Sequence, residues 1–139
     1  MSVHFSSKTD LWATPQFFFD NLNKVWKFDL DVCALPENAK CKRFFSPEED
    51  GLSQEWVGSC WMNPPYGRVI GKWVEKAYKE SQKEGTTVVS LLPARTDTRW
   101  FHDFIYQKEN VTVCFVKGRL KFGGSSNSAP FPSMVVIFK

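Results

Sequence analysis

The chain predicts an α/β fold built on one open sheet, and three observations carry that reading. Its apolar runs come in the order helix, three short strands, helix, strand, helix, and then a β-rich ending. The run at residues 57–62 leads straight into Asn63-Pro64-Pro65-Tyr66 and a glycine, so the chain leaves the sheet there in a stiff extended loop. At 139 residues the chain can bury a single core, with no separate target-recognition domain.

The elements follow in order. Residues 1–11 are polar and extended. Thr14 suits an N-cap and Pro15 a first helical position, opening a helix to Val25 with Phe18, Leu22 and Val25 on one face. Residues 28–34 alternate apolar with acidic side chains and read as the first strand. A polar connection fills 35–40, a short second strand 41–45, and an acidic loop 46–54. Residues 57–62 form the third strand. Residues 69–83 have a helical period, with Val69, Trp73 and Ala77 facing inward. A buried strand at 86–92, a loop at 93–98 and a helix at 98–107 come next. Strands at 111–116, 119–122 and 134–138 close the fold, and Gly123 to Ala129 is a flexible loop. There is no internal repeat, and the Gly-rich dinucleotide fingerprint is absent.

Composition sets limits. Apolar content of 42% marks a globular chain, and the six Trp and thirteen Phe either enrich the core or line a pocket. A net charge of +3 is compatible with nucleic-acid binding without requiring it. Cys33, Cys41, Cys60 and Cys114 lack the paired short spacing of a zinc site or disulfide framework, and read as reduced buried thiols. His4 and His102 have no metal-like partners, so no metal is expected. No signal region or membrane span is evident, and the expected location is a cytoplasm.

The chemistry concentrates at residues 63–66. Loops just past strand ends in open α/β sheets are where ligands bind. Proline has no N–H, so Asn63 and Pro64 present carbonyl oxygens there, and Tyr66 offers an aromatic face. An acceptor cluster beside a stacking surface suits a planar base with an amino group.

Several segments together resemble the phage and prophage DNA adenine-N6 methyltransferase (Dam) family. They are Trp12-Ala-Thr-Pro15, Phe28-Asp-Leu-Asp-Val-Cys-Ala34, Asp50-Gly-Leu52, Asn63-Pro-Pro-Tyr66, Leu91-Leu-Pro-Ala94 and Gly118-Arg-Leu-Lys-Phe122. They cover nearly the whole chain in the family's order. The resemblance implies a compact Rossmann-like methyltransferase sheet, with helices on both faces and a closing antiparallel hairpin. It implies S-adenosylmethionine as donor and adenine in double-stranded DNA as acceptor, in a bacterial host cytoplasm, with a homodimer possible.

By position, the resemblance makes Asn63, Pro64, Pro65 and Tyr66 the catalytic motif. It makes Trp12, Thr14, Pro15, Asp31, Ala34 and Asp50 the donor-binding set, with Thr14 and Pro15 at the methionine part and Asp50 at the adenine or ribose. Asp31 can accept from a cationic amino group, and Asp29, two residues earlier on the same strand face, competes for that role. Only thirty-two positions separate Asp31 from Asn63, short for a full helix–strand unit carrying a ribose-binding acid.

Adenine's amino nitrogen is a poor nucleophile. Acceptance of its hydrogens by the Asn63 side-chain oxygen and the Pro64 carbonyl would aim its lone pair at a methyl group held in line. No metal or strong base is needed. The base must leave the duplex first. Tyr66 is expected on one face of it, and Phe122 either holds the other or is a core strand residue. Arg95 and Arg119 are the candidate phosphate contacts. RNA or protein methylation, or a non-catalytic nucleic-acid-binding module, are the alternative readings.

Overall fold

The computed structural model describes residues 12–123 and 127–139. His4, the extended N-terminal stretch and the middle of the Gly123–Ala129 loop lie outside the described residues. Helix α1 spans Gln16–Trp26, β1 Leu30–Asp31, β2 Gly58–Met62, α2 Ile70–Ser81, β3 Thr86–Pro93, α3 Arg99–Phe104, β4 Val111–Phe115 and β5 Ser133–Phe138. A 3₁₀ turn, Gly51–Ser53, precedes β2.

The sheet is mixed, in the order β1-β2-β3-β5-β4. β1, β2 and β3 are parallel, with Leu30 opposite Cys60 and Cys60 opposite Val88. β5 runs antiparallel to both its neighbours, β3 and β4, so it alone is reversed. The buried positions of β3 and β5 run nearly continuously, the signature of central strands covered on both faces.

Helix α1 begins one residue later than its sequence suggests. Pro15 is the capping residue, and its carbonyl accepts from the N–H groups of Phe18 and Phe19. Thr14 makes no side-chain cap, because its hydroxyl is engaged elsewhere. The buried stripe is centred on Phe19, which meets Trp61 edge-on at 5.3 Å, whereas Val25 is 70% exposed. The inward stripe runs through Phe18, Phe19, Leu22 and Trp26, and Val25 falls off its edge.

Helix α2 buries Ile70, Trp73, Val74 and Ala77 and leaves Val69 at the surface. Its Glu80 carboxylate accepts from Lys83 at 2.7 Å, from Lys76 at 3.2 Å and from the Trp56 N–H at 2.7 Å, fastening the approach to β2 onto the helix. Thr98 caps α3, accepting from the Phe101 N–H at 3.3 Å.

Two expected strands are not strands. Residues 41–45 run beside β1 but make only an isolated parallel bridge, Asp31 to Phe44. Residues 119–122 alternate exposed and buried, as a strand would, yet join no ladder. Leu120 O accepts from Ala129 N, and Gly123 N donates to Ala13 O, so that backbone is paired within loops. Cys60 is buried and Cys33 and Cys41 half-buried, but Cys114 is exposed because β4 is the sheet's edge. Burial pushes the thiols of Cys33, Cys41 and Cys60 up to about 12, so they stay neutral. No helix among the described residues is long and apolar enough to cross a membrane.

Candidate active site

A cavity of about 640 Å³ opens where β1 ends at Asp31 and β2 ends at Met62. That size suits a nucleotide-like ligand. Trp61, Trp73 and Phe45 give it flat apolar walls, and Thr14, Asp31, Lys40 and Asn63 are among its polar side chains.

Asn63 is held from one side. Its Nδ2 donates to the Trp12 carbonyl and, at 2.9 Å, to Thr14 Oγ1. A backbone carbonyl can only accept, so the amide must turn its NH₂ toward Trp12. That leaves Oδ1, which is buried and without a hydrogen-bond partner among the described residues. Buried acceptors are normally satisfied, and an orphaned one costs roughly 1–3 kcal/mol. A free acceptor at this place can take a hydrogen bond from a donor in a ligand.

Asp31 is 2% exposed and lines the cavity. Its carboxylate accepts from Cys33 N at 3.2 Å and from Lys40 N at 3.0 Å, pinning the loop that follows β1. Burial pushes its carboxyl up to about 6, against those two N–H groups and the Lys40 charge, which pull it down. Asp29, its competitor, lies outside the cavity and accepts from Ser59 N at 3.0 Å.

Beside them the 3₁₀ turn packs extremely closely. A Cβ on Gly51 would lie 2.2 Å from the Val32 carbonyl oxygen, so only glycine fits. Trp56 donates from its ring nitrogen to Gly51 O at 2.8 Å and stacks on Trp73. Asp50 precedes it with φ of 58°, its carboxylate bonded to the Leu52 N–H, and it too lines the cavity.

The cavity therefore gathers Trp12, Thr14, Asp31, Ala34 and Asp50 with Asn63, Pro64 and Pro65. Pro15 is buried and does not line it.

Tyr66 and Phe122 depart from expectation. Tyr66 is 1% exposed, its hydroxyl donating to Leu91 O at 3.1 Å. Burial pushes its phenol up. Phe122 is 3% exposed, and the two rings stand 6.5 Å apart at 86°. Two faces gripping a flat base would need to be parallel, so this pair forms no open slot. Trp12 and Phe131 complete a cluster of four rings, with Trp12 5.1 Å from Phe131. Tyr66, Phe122 and Phe131 are buried in this cluster and Trp12 half-buried, large apolar faces packed edge to face. Arg95 is exposed, its guanidinium 5.7 Å from the Phe131 ring centre, and Arg119 is exposed. His102 sits against Thr96 O at 2.8 Å.

Sequence reasoning missed Lys40, Asn38, Ser46, Trp61 and Trp73 as lining residues. Residues 35–40 read only as a polar connection, although a loop after a strand's carboxyl end was the available signal.

A family model described as DNA N-6-adenine-methyltransferase (Dam) matches residues 2–139. The chain is 36% identical over 141 residues to a DNA N-6-adenine-methyltransferase of Haemophilus phage HP1 (strain HP1c1), covering 96% of this chain and 80% of that protein. It is 38% identical over 95 residues to a DNA N-6-adenine-methyltransferase of Escherichia phage T1, covering 66% of this chain and 39% of that one.

Proposed function

The chain belongs to the DNA N-6-adenine-methyltransferase (Dam) family, and on that premise we propose how its cavity serves the reaction. The protein is a DNA adenine-N6 methyltransferase. We infer that its donor is S-adenosylmethionine, held in the cavity on a methyltransferase-like sheet, and that its acceptor is an adenine turned out of duplex DNA.

The residues fit such a donor. The cavity is large enough, its walls include tryptophan rings for a nucleoside, and its buried carboxylate, Asp31, would meet the donor's cationic amino group. Thr14, Ala34 and Asp50 would hold it, with Pro15 shaping the turn behind Thr14. When bound, S-adenosylmethionine supplies an electrophilic methyl group on sulfur.

The single observation that carries the reading is the orphaned Asn63 Oδ1. It and the Pro64 carbonyl accept the two hydrogens of the adenine amino group. Those bonds draw the nitrogen lone pair out of conjugation and aim it. Pro65 keeps the loop extended so that both acceptors point one way. The proton leaves after the methyl arrives, so no strong base is needed. Tyr66 stacks on the base once the aromatic cluster opens.

Duplex DNA is engaged through exposed cations at the strands' carboxyl ends. Lys76 and Lys79, farther along α2, and Lys83 just past its end are paired with glutamates. Arg68, Lys72, Arg95, Arg99 and Arg119 are exposed and make no ion pair among the described residues. Unpaired cations can neutralise phosphates without breaking existing bonds.

The test is methyl transfer from labelled S-adenosylmethionine to unmethylated duplex DNA, read by nucleoside mass spectrometry, with RNA and protein as parallel acceptors. Label on adenine N6 in DNA is expected, and Asn63→Ala should lose it while still binding S-adenosylhomocysteine. An Asn63→Ala enzyme of unchanged rate would overturn the assignment.

A further inference from the structure

Lys40 enters the cavity from the loop after β1 and has no role in the reading above. Its ammonium donates to Gln16 Oε1 at 2.8 Å, a neutral acceptor at the start of α1. No carboxylate lies within ion-pair distance of it among the described residues. Asp20 is linked to it through Gln16, whose Nε2 donates to Asp20 Oδ1 at 2.8 Å. The backbone N–H of the same lysine donates to Asp31 Oδ2 at 3.0 Å. Asp31 and Lys40 thus both line the cavity, tied through the lysine's backbone N–H, with the ammonium turned to Gln16 and long enough in its stem to swing to a ligand.

This pair mirrors an α-amino acid. A zwitterion offers an ammonium and a carboxylate on one carbon, and its complement is a carboxylate and an ammonium side by side. A nucleoside alone has no use for either charge. A lysine ammonium has three donors, and Gln16 takes one of them. Partial burial weakens the charge's hold on water, and burial together with Asp31 and Asp20 acts on its titration, burial most strongly and downward.

We propose that Lys40 binds the α-carboxylate of the donor's methionyl group, beside Asp31 on the α-amino group, and so fixes which way round the donor lies. The assignment rests on S-adenosylmethionine being the donor. The opposing account is that Lys40 is only a strap tying α1 to the loop through Gln16.

Calorimetry on the full chain separates these, using S-adenosylhomocysteine and its decarboxylated analogue, which keeps the amine and lacks the carboxylate. Wild type should prefer S-adenosylhomocysteine by about tenfold to a hundredfold, the range for a charge-assisted hydrogen bond. Lys40→Met should lose that preference and bind the analogue as wild type does. Gln16→Ala should keep the preference, since it cuts the strap and spares the ammonium. If Lys40→Met keeps the preference, or weakens both ligands equally, the assignment is overturned while the donor reading stands. If wild type binds neither ligand, the donor reading fails and takes the assignment with it.

Discussion

Thr14 Oγ1 accepts from Asn63 Nδ2 at 2.9 Å, joining the segment before α1 to the loop after β2 across forty-nine positions. With the Trp12 carbonyl it decides which face of the Asn63 amide looks into the cavity. Thr14→Val keeps the shape and removes the acceptor. At saturating S-adenosylmethionine its methylation rate should fall roughly tenfold. Thr14→Ser should recover most of the loss. A Thr14→Val enzyme with a normal rate would mean that Trp12 alone orients the amide.

Asp31 makes both stability and donor binding depend on pH. Its folded carboxyl titrates near 6, above its ordinary value. Between those two values the folded state holds a proton that the unfolded state has released, so stability falls as pH rises through that window. The loss is about 3 kcal/mol once pH exceeds 6, from roughly 1.4 kcal/mol per unit. Donor binding runs the other way, because the ionised form meets the amino group. S-adenosylhomocysteine affinity should drop about tenfold per pH unit below 6, while Lys40 stays charged and the nearby thiols of Cys33 and Cys41 stay neutral. Calorimetry at several pH values checks it, and a flat profile for Asp31 wild type would contradict the contact.

Gly51→Ala should destabilise strongly for a single methyl group. The added Cβ meets the Val32 carbonyl at 2.2 Å and the Trp73 ring at 3.1 Å. Overpacking of this kind costs about 1–3 kcal/mol. Urea denaturation would show it as a lower midpoint with an unchanged slope, and an alanine variant as stable as wild type would mean that the turn moves freely.

Tyr66 separates packing from hydrogen bonding. Tyr66→Phe loses one buried bond to Leu91 O, worth about 1 kcal/mol, and keeps the ring. Tyr66→Ala removes the ring and should cost about 3–5 kcal/mol. Methylation should follow the ring, with the phenylalanine enzyme near wild type. Equal loss of activity in both variants would argue against stacking on the base.

The elements with long periodic patterns were legible in the chain. Helix α2 and strand β3 fell within a residue or two of expectation, because their burial is set by local period. Residues 119–122 misled, since alternation records only which side faces inward and says nothing of a pairing partner. The loop after β2 could be placed because two prolines punctuate it. Lys40 could not be, because its importance comes from Asp31 folding the loop back through two N–H bonds. The type and place of Tyr66 suggest an open stacking face, but its enclosure depends on Phe122 and Phe131, dozens of residues later.

The position of β5 bears on how the chain acquires its shape. It follows β4 in sequence, yet it lies inside the sheet, and among the described residues it is the only strand that β4 touches. A growing chain can pair β1, β2 and β3 early, but β4 has nowhere to dock until residues 133–138 arrive. Until then β3 carries an open edge, the kind that recruits other chains. Synthesis of this protein is therefore safest when residues 133–138 follow quickly, and slowing their translation should raise the fraction lost to aggregation.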